Sequence, residues 1–578
     1  MRKKLMPLLV AIIFIFIVIM IAVVTALVQK YTPSKEHVSL EEYYHLEQED
    51  DMAIILDHQK TDEVCKYIDG HAYLTYEFVN QYLNQRFYWD SNENLLRYTT
   101  PTDVISVNAG SNEYFVTKEK NTEDYTIVRV DGDAMYLAID FVQKFTNIDF
   151  SMREEPNMIL ITSKWGDIQT ASVKKDTQIR EKGGIKSPIV SEVAKSDNIT
   201  VLESLDDWTK VCTADGMIGY LQSKRLGEIQ VQTISRFFEE PQFSHLLKKE
   251  AINMVWHQVT TQEANDQISS VLQNTKGINV VSPTWFYLND NQGNIHSLAS
   301  SSYVSYCHQN GIEVWALLSN LENADVDSTE VLTRSSVRDY LVNQIIAAAI
   351  EYDLDGINLD FESLSGEVGD GYIQLVRELS VKCRKNGIVL SVDNYVPSDY
   401  TAFYKRGEQA VFADYVVIMG YDEHYYGSEE GSVASIGFVT EGVENTLLEV
   451  PPEQTILGMP FYTRVWECTP KGDDVSEAEI ASEDYVPYTV DSSAVGMTEA
   501  ENRATANGAQ KVWSEEDGQN YVEYENEGKT YKIWMEDESS IELRLKLLRN
   551  KSLAGGAFWK LGLEKSSVWD LIIKYINE

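Results

Sequence analysis

Residues 355–362, which read Asp-Gly-Ile-Asn-Leu-Asp-Phe-Glu, constrain the fold of this chain more than any other segment. In a β-strand successive side chains point to opposite faces, so the three apolar residues share one face while Asn358, Asp360 and Glu362 share the other. A buried row of polar groups is costly unless something compensates for it. In a (β/α)8 barrel, apolar residues pack outward on helices, whereas polar residues at the carboxyl end of a strand open into the mouth. The run therefore predicts one strand of such a barrel.

The sequence from Lys248 onward supports this interpretation, because strand-like apolar runs alternate with helical stretches, as in a parallel sheet of βα units. Residues 355–362 fall on the fourth of eight predicted strands. The eight are Ile252–Trp256, Ile278–Pro283, Glu313–Leu318, Gly356–Phe361, Ile388–Val392, Tyr415–Met419, Thr455–Met459 and Gly555–Trp559. Residues 466–540 predict a small α+β insertion between the last two strands, beside the barrel mouth.

Several ordered motifs carry a resemblance to a known family. The pattern Asp-x-x-(Asp/Asn)-x-Asp-x-Glu at the end of the fourth strand resembles the signature of glycoside hydrolase family 18, the chitinase-like enzymes. Asn358 departs from the commoner Asp and is similar to the spore and cell-wall lytic subgroup of Gram-positive bacteria. Residues 416–424, 457–462 and 555–562 resemble the family's sixth, seventh and eighth strands. The resemblance covers roughly residues 245–578.

The resemblance implies a glycosidase in which the acetamido group of the substrate is the nucleophile. It implies that Glu362 donates and later removes the proton, that Asp360 orients the acetamido group, and that Tyr421 donates a hydrogen bond to the acetamido oxygen. The residues expected to bind substrate are Asn358, Asp355, Met419, Asp422, Trp559, Tyr462, Arg464 and Trp285. For Trp285, Tyr462 and Arg464, core packing is an equal alternative. Strand alternation places Asp355 on the outward face, so a structural role stays open for it.

Asn358 predicts a distinctive distribution of protons in the site. A carboxylate at this position would compete with Asp360 for a proton, whereas an amide can donate a hydrogen bond to Asp360 but cannot titrate. The sequence therefore predicts a simpler pH profile than that of relatives with Asp at this position.

The amino-terminal segment predicts a membrane anchor. Residues 5–28 carry no charge and follow Arg2, Lys3 and Lys4. Such a run is long enough to span a bilayer as a helix, and the basic cluster places the remaining chain outside the cell. Residues 1–28 are therefore interpreted as a cytoplasmic basic segment with a transmembrane anchor. A cleaved signal peptide is the alternative.

Composition excludes several function classes. The formal net charge of -41 argues against binding to nucleic acid or to an anionic lipid surface, since both need clustered Lys and Arg. The five cysteines are scattered singly, without a CxxC or Cys/His cluster, which predicts free buried thiols and no metal site. The sequence also indicates no cofactor.

Three segments precede the barrel. Residues 29–62 are polar and acidic and predict a linker. Residues 63–165 contain a duplication, since residues 72–79 recur in altered form at 135–142. They resemble the small α/β module called the copper amine oxidase N-terminal-like domain, which does not imply copper. Residues 166–230 resemble a bacterial SH3-like β-barrel, for which cell-wall binding is common, although Trp208 is open to interpretation as core.

The sequence thus predicts a multidomain, membrane-anchored extracellular hydrolase of β-1,4-linked glycans that contain N-acetylglucosamine. Peptidoglycan is favoured over chitin. The expected partners are a polysaccharide substrate, the cell wall through the SH3-like domain, and the membrane through the amino-terminal helix. The alternative from another class is a glycan-binding or scaffolding protein without catalytic activity. Transglycosylation is a third possibility, since it would use the same residues.

Overall fold

The computed structural model describes residues 2–472 and 486–576. These residues form two units. The first consists of Met1–Phe87 and Val107–Glu240, and the second of Tyr88–Ser106 and Pro241–Glu578. Part of the predicted duplicated module, Tyr88–Ser106, thus groups with the barrel.

Eight parallel strands close into a barrel in the second unit. They are β1 (Ile252–His257), β2 (Val280–Pro283), β3 (Glu313–Ser319), β4 (Gly356–Asp360), β5 (Val389–Tyr395), β6 (Tyr415–Met419), β7 (Thr455–Pro460) and β8 (Gly555–Trp559). Strand β1 pairs with β2 and β8, β8 pairs with β7, and β2 pairs with β3, so the ring is complete. The predicted barrel and all eight predicted strands are confirmed to within a few residues at each end.

Helices surround this ring and bury their apolar stripes against it. In the helix Ser335–Glu351 the predicted stripe of Leu341, Ile345, Ile346 and Ala349 is buried. The other helices and helical turns that accompany the barrel are Gln262–Gln267, Ile268–Val271, Leu272–Asn274, Ser301–Gln309, Ser328–Leu332, Gly366–Val368, Gly369–Asn386, Asp399–Tyr404, Arg406–Phe412, Ile436–Thr446, Pro452–Gln454, Glu538–Asn550 and Val568–Ile576. The remaining strands of this unit are Phe286–Leu288 and Ile295–Ser297, which form a hairpin after β2, and Phe87–Asp90, Leu95–Thr99 and Val104–Asn108, which lie wholly or partly within residues 88–106.

An insertion between β7 and β8 forms a separate antiparallel sheet. Its strands are Tyr462–Pro470, Tyr488–Gly496, Val512–Ser514, Gln519–Asn526 and Lys529–Met535, and its helix is Met497–Ala506. The sheet begins a few residues earlier than the predicted insertion, because β7 runs almost directly into its first strand. Residues 473–485, which belong to the predicted insertion, lie outside the described residues.

The first unit is rich in β-structure. One sheet contains the strands Asp51–Leu56, Gln59–Ile68, His71–Thr75, Val128–Asp131, Ala134–Ala138, Asp149–Arg153 and Met158–Thr162, and the hairpin Glu113–Val116 with Glu119–Thr122 also lies in this unit. A further sheet contains Gly166–Ser172, Thr177–Arg180, Ile189–Val193, Asn198–Ser204, Trp208–Thr213, Ile218–Gln222 and Gln230–Ile234. The helices and helical turns are Arg2–Tyr31, Leu40–Tyr43, Tyr76–Phe78, Val79–Leu83, Ile139–Phe145 and Ser223–Arg225.

The linker predicted over residues 29–62 is wrong for most of its length. Tyr44 is buried in the same core as Val211 and Leu221. The backbone N–H of Val38 donates to the carbonyl of Ile189 at 2.9 Å, which adds this segment to a sheet edge. Residues 51–56 form a strand that pairs with 158–162. The acidic composition favoured a solvated linker, but the apolar residues dispersed among the acids supply enough buried surface to order the segment.

The amino-terminal helix Arg2–Tyr31 contains one stretch, Met6–Tyr31, that is long and apolar enough to cross a membrane. In the described part of the chain it is the one helix with this property. Length and composition are shared by anchors and signal sequences, so both interpretations of residues 1–28 remain compatible with it.

Candidate active site

A cavity of about 150 Å³ opens at the carboxyl ends of the barrel strands. Its volume lies below the ~300–1,000 Å³ of pockets for drug-sized ligands, so its size suits a single ring. The cavity brings together six of the residues singled out in the sequence, and three others join them. The lining residues are Trp256, Asp360, Glu362, Asp393, Tyr395, Met419, Tyr421, Asp422 and Trp559.

Strand β4 presents its carboxylates in the predicted way. The alternate residues Ile357, Leu359 and Phe361 are buried in the core between barrel and helices. Asp360 and Glu362, on the other face, are half-buried and reach the cavity. The alternation inferred from the sequence is therefore what places both carboxyl groups at the barrel mouth.

The position of Glu362 is fixed through its backbone. Its N–H donates to Asn320 Oδ1 at 2.8 Å, and Asn320 Nδ2 donates back to the Glu362 carbonyl at 2.9 Å. The Tyr404 hydroxyl donates to the carbonyl of Phe361 at 3.1 Å. Glu362 lies just beyond the end of β4 and is therefore outside the hydrogen-bonded strands of the barrel. These bonds to neighbouring elements fix its position instead.

The surroundings of Glu362 favour its protonated form. Burial raises the pKa of this carboxyl, the negative charges of Asp422 and Glu322 raise it further, and a hydrogen bond with Tyr395 opposes them. A carboxyl that keeps its proton toward neutral pH is in the state that a general acid requires.

Asp360 is the least satisfied polar group of the site. Its Oδ1 atom is buried and has no hydrogen-bond partner among the described residues. Burial, together with the charges of Asp393 and Glu362, raises the pKa of Asp360 well above its ordinary value. An unpartnered buried oxygen that faces a cavity is available to a polar group of a ligand.

Asn358 is buried and held by four polar neighbours. Its Oδ1 accepts from Trp256 Nε1 at 2.8 Å and from Ser282 Oγ at 3.0 Å. Its Nδ2 donates to Ser391 Oγ at 3.0 Å and to Asp393 Oδ1 at 2.7 Å. Two donors on one side and two acceptors on the other fix the orientation of the amide.

This arrangement corrects the hydrogen bond predicted from Asn358 to Asp360. The amide donates instead to Asp393 on the neighbouring strand, because Asn358 lies in register with Ser391 and its side chain therefore faces the interior side of β5. Asn358 also does not line the cavity, so the direct substrate contact expected of it is not supported by its position.

Asp393 is the main residue that the sequence analysis missed. It lies on β5, is 2% exposed and lines the cavity beside Asp360 and Glu362. Burial raises the pKa of Asp393 to about 8, while hydrogen bonds with Asn358 and Trp256 oppose that rise. One signal was present: Ser391 and Asp393 alternate with apolar residues in a strand otherwise fit for burial.

Tyr421 and Asp422 follow the end of β6. Burial and the neighbouring carboxylates raise the pKa of Tyr421 well above its ordinary value, so its hydroxyl remains a hydrogen-bond donor at neutral pH. Asp422 has a φ of 59°, a left-handed conformation that is uncommon for residues other than glycine and that recurs at functional sites.

Aromatic side chains complete one wall of the cavity. The rings of Trp256 and Trp559 lie 5.9 Å apart, and those of Trp256 and Tyr421 lie 6.4 Å apart in an edge-to-face arrangement. Both tryptophans line the cavity and offer it apolar surface.

Tyr462 lies one step away from the cavity. Its hydroxyl donates to Asp422 Oδ1, and Tyr462 itself is not among the cavity-lining residues. Tyr462 thus contacts Asp422, which itself lines the cavity.

Two further residues expected at the substrate lie elsewhere. Trp285 is completely buried, and its Nε1 donates to Asn265 Oδ1 at 2.8 Å, so it belongs to the core. Arg464 donates to Ser492 Oγ at 3.1 Å within the insertion. Its burial favours the core alternative for Trp285, since the chain leaves β2 before it and forms a hairpin there.

The contacts of Asp355 favour the structural role that the sequence left open for it. It immediately precedes β4, at the end of the barrel opposite the cavity. Its Oδ2 accepts from the Val314 N–H at 2.8 Å and lies 2.8 Å from His308 Nε2. The motif residue thus joins β4 to β3.

The described part of the chain contains no group of three or more His, Cys, Asp or Glu residues arranged to hold a metal ion. All five cysteines are buried and free, as predicted.

Comparisons with known proteins agree with this geometry. The sequence profile of the glycosyl hydrolases family 18 matches residues 327–564, from ahead of the helix preceding β4 to just beyond β8. The chain is 24% identical over 297 residues to the uncharacterized glycosylase YvbX of Bacillus subtilis (strain 168), covering 49% of this chain and 81% of that protein. It is 26% identical over 280 residues to the cortical fragment-lytic enzyme of the same organism, covering 45% of this chain and 59% of that protein.

The fold is also found among solved structures. The C-terminal domain of a candidate chitinase from Desulfitobacterium hafniense DCB-2 has a TM-score of 0.50 at 19% identity, covering 57% of this chain and 99% of that one. The chain therefore contains a glycosidase domain that matches family 18 over residues 327–564, within a closed eight-stranded barrel that sheet-rich domains precede in the sequence.

Proposed function

We propose that this chain hydrolyses β-1,4 linkages next to N-acetylglucosamine by substrate-assisted catalysis, with retention of configuration. The observation that carries the proposal is the convergence of Glu362, Asp360 and Tyr421 on one ring-sized cavity with an aromatic wall. The family 18 match agrees with it, since this family is a substrate-assisted exception among glycosidases.

The first step breaks the glycosidic bond. The acetamido oxygen of the substrate attacks its own anomeric carbon, and the proton of Glu362 passes to the departing glycosidic oxygen. Burial of Glu362 beside Asp422 and Glu322 supports this role, because it preserves the proton that is to be donated.

The cavity offers a partner for each end of the acetamido group. Asp360 Oδ1 is unpartnered and can accept the acetamido N–H, while the Tyr421 hydroxyl can donate to the acetamido oxygen. Asp360 in its ionised form also stabilises the positive charge that develops on the cyclic oxazolinium intermediate. Fixed charges aimed at a developing charge stabilise it more than water does, because they need no reorganisation.

The second step releases the product. Glu362, now ionised, removes a proton from a water molecule, whose oxygen attacks the anomeric carbon and reopens the ring. Two displacements at the same carbon restore its original configuration. Trp559 and Trp256 would support the apolar face of the sugar in both steps.

Peptidoglycan is the favoured substrate. The relative named cortical fragment-lytic enzyme supports this preference, as does Asn358, which is shared with the spore and cell-wall subgroup that the motif resembles. In this proposal the helix Met6–Tyr31 holds the protein at the membrane with the other domains outside, and the SH3-like segment 166–230 contacts the cell wall. Signal cleavage and secretion form the alternative.

The test is mass spectrometry of the products released from purified peptidoglycan and from chitin oligomers by the full chain. The expected result is fragments with N-acetylglucosamine at the new reducing end, and their loss in Glu362→Gln. Glu367→Gln is the matched control, since Glu367 is an exposed glutamate a few residues away.

Two outcomes would redirect the proposal. Tight glycan binding without product release would favour the non-catalytic glycan-binding protein. Products longer than the starting oligomers would indicate transglycosylation, which uses the same groups with a sugar acceptor in place of water.

A further inference from the structure

Position 358 lacks a carboxylate, but Asp393 adds a carboxyl group to those of Asp360, Glu362 and Asp422 in the cavity. Asp393 reaches the same space from β5, and its Oδ1 accepts from Asn358 Nδ2 at 2.7 Å. Asp360, Glu362 and Asp393 all line the cavity. Two adjacent strands thus supply the carboxyls that the motif on β4 alone does not.

We propose that Asp393 is the positioning residue for Asp360: the two carboxyls share one proton, and Asp393 takes it up when Asp360 binds the acetamido N–H. This inference rests on the proposed function for its catalytic consequence. The step moves one proton from Asp360 to Asp393 and leaves Asp360 as the anion, with no other bond changed.

The geometry of Asn358 directs this exchange. Trp256 and Ser282 occupy the amide oxygen, so only the amide nitrogen can face Asp393. A donor that cannot titrate holds one carboxylate oxygen of Asp393 and leaves the other for a proton. Asp393 therefore stays in one orientation in both of its protonation states.

The groups that face Asp393 come from several elements. Asp360 and Glu362 belong to β4 and its end, Tyr421 follows β6, and Tyr372 lies on the helix Gly369–Asn386. All are acids, and the described part of the chain contains no salt bridge to Asp393. Two buried carboxyls that line one cavity without a cation cannot both ionise easily, which is the condition for sharing a proton.

Asp393 also changes what Asn358 implies. The amide at position 358 predicted a simple pH profile, because one carboxylate was counted as missing. With Asp393 in the cavity, the number of titrating carboxyls is restored. The structure therefore assigns to this chain a coupled profile instead of a simple one.

The first arm of the test uses activity. In Asp393→Asn the side chain keeps its volume and can still accept from Asn358, but it cannot carry the proton. We expect the alkaline limb of kcat against pH to move to lower pH by about one unit, because the variant lacks the negative charge that Asp393 acquires when it loses its proton at alkaline pH. The double variant Asn358→Asp with Asp393→Asn returns a carboxyl to the pair from the other strand and is expected to restore the limb. A uniform loss at every pH, without rescue, would reduce Asp393 to a structural role.

The second arm does not depend on activity. Infrared difference spectra of the full chain follow the protonated-carboxyl band during a pH titration. We expect a band that disappears between the ordinary value of 3.8 and about 8 for this carboxyl. It should change in both Asp393→Asn and Asp360→Asn. Asp353→Asn is the control, since that carboxyl is 93% exposed and lies ahead of β4.

The two arms separate the two proposals. If the wild-type protein cleaves no glycan but the infrared band responds as expected, the proposed function fails and the shared proton stands. If the band in Asp393→Asn is identical to that of the wild type, the inference on Asp393 is overturned even where hydrolysis is observed.

Discussion

Two clusters of buried carboxyl groups in the barrel unit differ in one respect, the presence of a cation. Glu378, on the helix Gly369–Asn386, receives a hydrogen bond from Arg338 Nε at 3.1 Å, and both side chains are almost completely buried. The Arg338 charge holds the pKa of Glu378 below its ordinary value despite burial. At the cavity, burial and like charges raise the pKa of Asp360, Glu362 and Asp393 instead.

The presence or absence of a cation distinguishes a carboxylate that stabilises the fold from carboxyls that are available for chemistry. A paired carboxylate has a settled charge and contributes to the order of its surroundings, provided that the pair stays intact. Carboxyls without a cation keep their protons to higher pH, and their burial lowers the stability of the fold. Proteins tolerate this loss of stability at functional sites. The residues lining the cavity, all within the described part of the chain, include no Lys or Arg. The cavity cluster is therefore where the proposed proton transfer would take place.

The largest expected effect is on catalysis at the unpaired cluster. Glu362→Gln should lower kcat by about 10²–10⁴-fold, because the proton donor is removed while shape is kept. Steady-state kinetics on peptidoglycan fragments check this. Unchanged melting of the variant would confirm that the loss is chemical, and full activity would place the acid elsewhere.

The next effect is on stability at the paired cluster. Glu378→Gln leaves Arg338 buried without its counter-charge, so we expect the free energy of unfolding to fall by about 3–5 kcal/mol. Urea denaturation measures it. The matched control is Glu330→Gln, which breaks the exposed Arg334–Glu330 pair and should cost no more than ~0.5 kcal/mol. Equal losses in the two variants would mean that the buried Arg338–Glu378 pair holds the barrel together no more than an exposed pair does.

A third variant tests the donor that faces the acetamido oxygen. Tyr421→Phe should reduce kcat by about 10²-fold, with a smaller change in KM, since this bond strengthens as charge develops. A change confined to KM would instead assign Tyr421 to ground-state binding.

The smallest effect is the pH dependence of stability. For Asp393 the folded pKa of about 8 exceeds the ordinary 3.8, so the folded state binds more protons in this window and loses stability as pH rises through it. Asp393→Asn should therefore be more stable than the wild type at pH 8 and equal to it at low pH. For Glu378 the sign is opposite: its stabilisation is present above its ordinary pKa and is lost as pH falls through its lowered one. Urea unfolding at several pH values measures how the free energy of unfolding changes with pH for both residues. If Asp393→Asn were less stable than the wild type at pH 8, the prediction for Asp393 would be contradicted.

Local patterns predicted much of the barrel. Alternation along β4 placed Asp360 and Glu362 correctly, because the side-chain period of a strand does not depend on distant contacts. The order of the strands followed from the alternation of strand and helix patterns. Alternation thus singled out Asp360 and Glu362, whereas Tyr421 followed only from the resemblance of residues 416–424 to the family's sixth strand.

Features that depend on neighbouring strands could not be predicted. The hydrogen bond from Asn358 to Asp393 is set by the register of β4 against β5, which no local pattern encodes. Trp285 was expected at the substrate because it follows a strand, but the chain turns into a hairpin there and buries it. The sequence did not predict that the segment around Tyr44 is folded, because its overall composition is acidic. Burial depends on individual residues such as Tyr44 and not on the average composition of a segment.

The central claim is that the acetamido group of the substrate is the nucleophile in a cavity whose own carboxyls only hold and move protons. The most direct measurement compares hydrolysis of two oligosaccharides of equal length and linkage, chitotetraose and cellotetraose, which differ in the 2-acetamido group. Cleavage of chitotetraose alone, abolished in Glu362→Gln, is the predicted result. Comparable cleavage of cellotetraose would mean that a side chain of the protein serves as nucleophile, and would contradict the account.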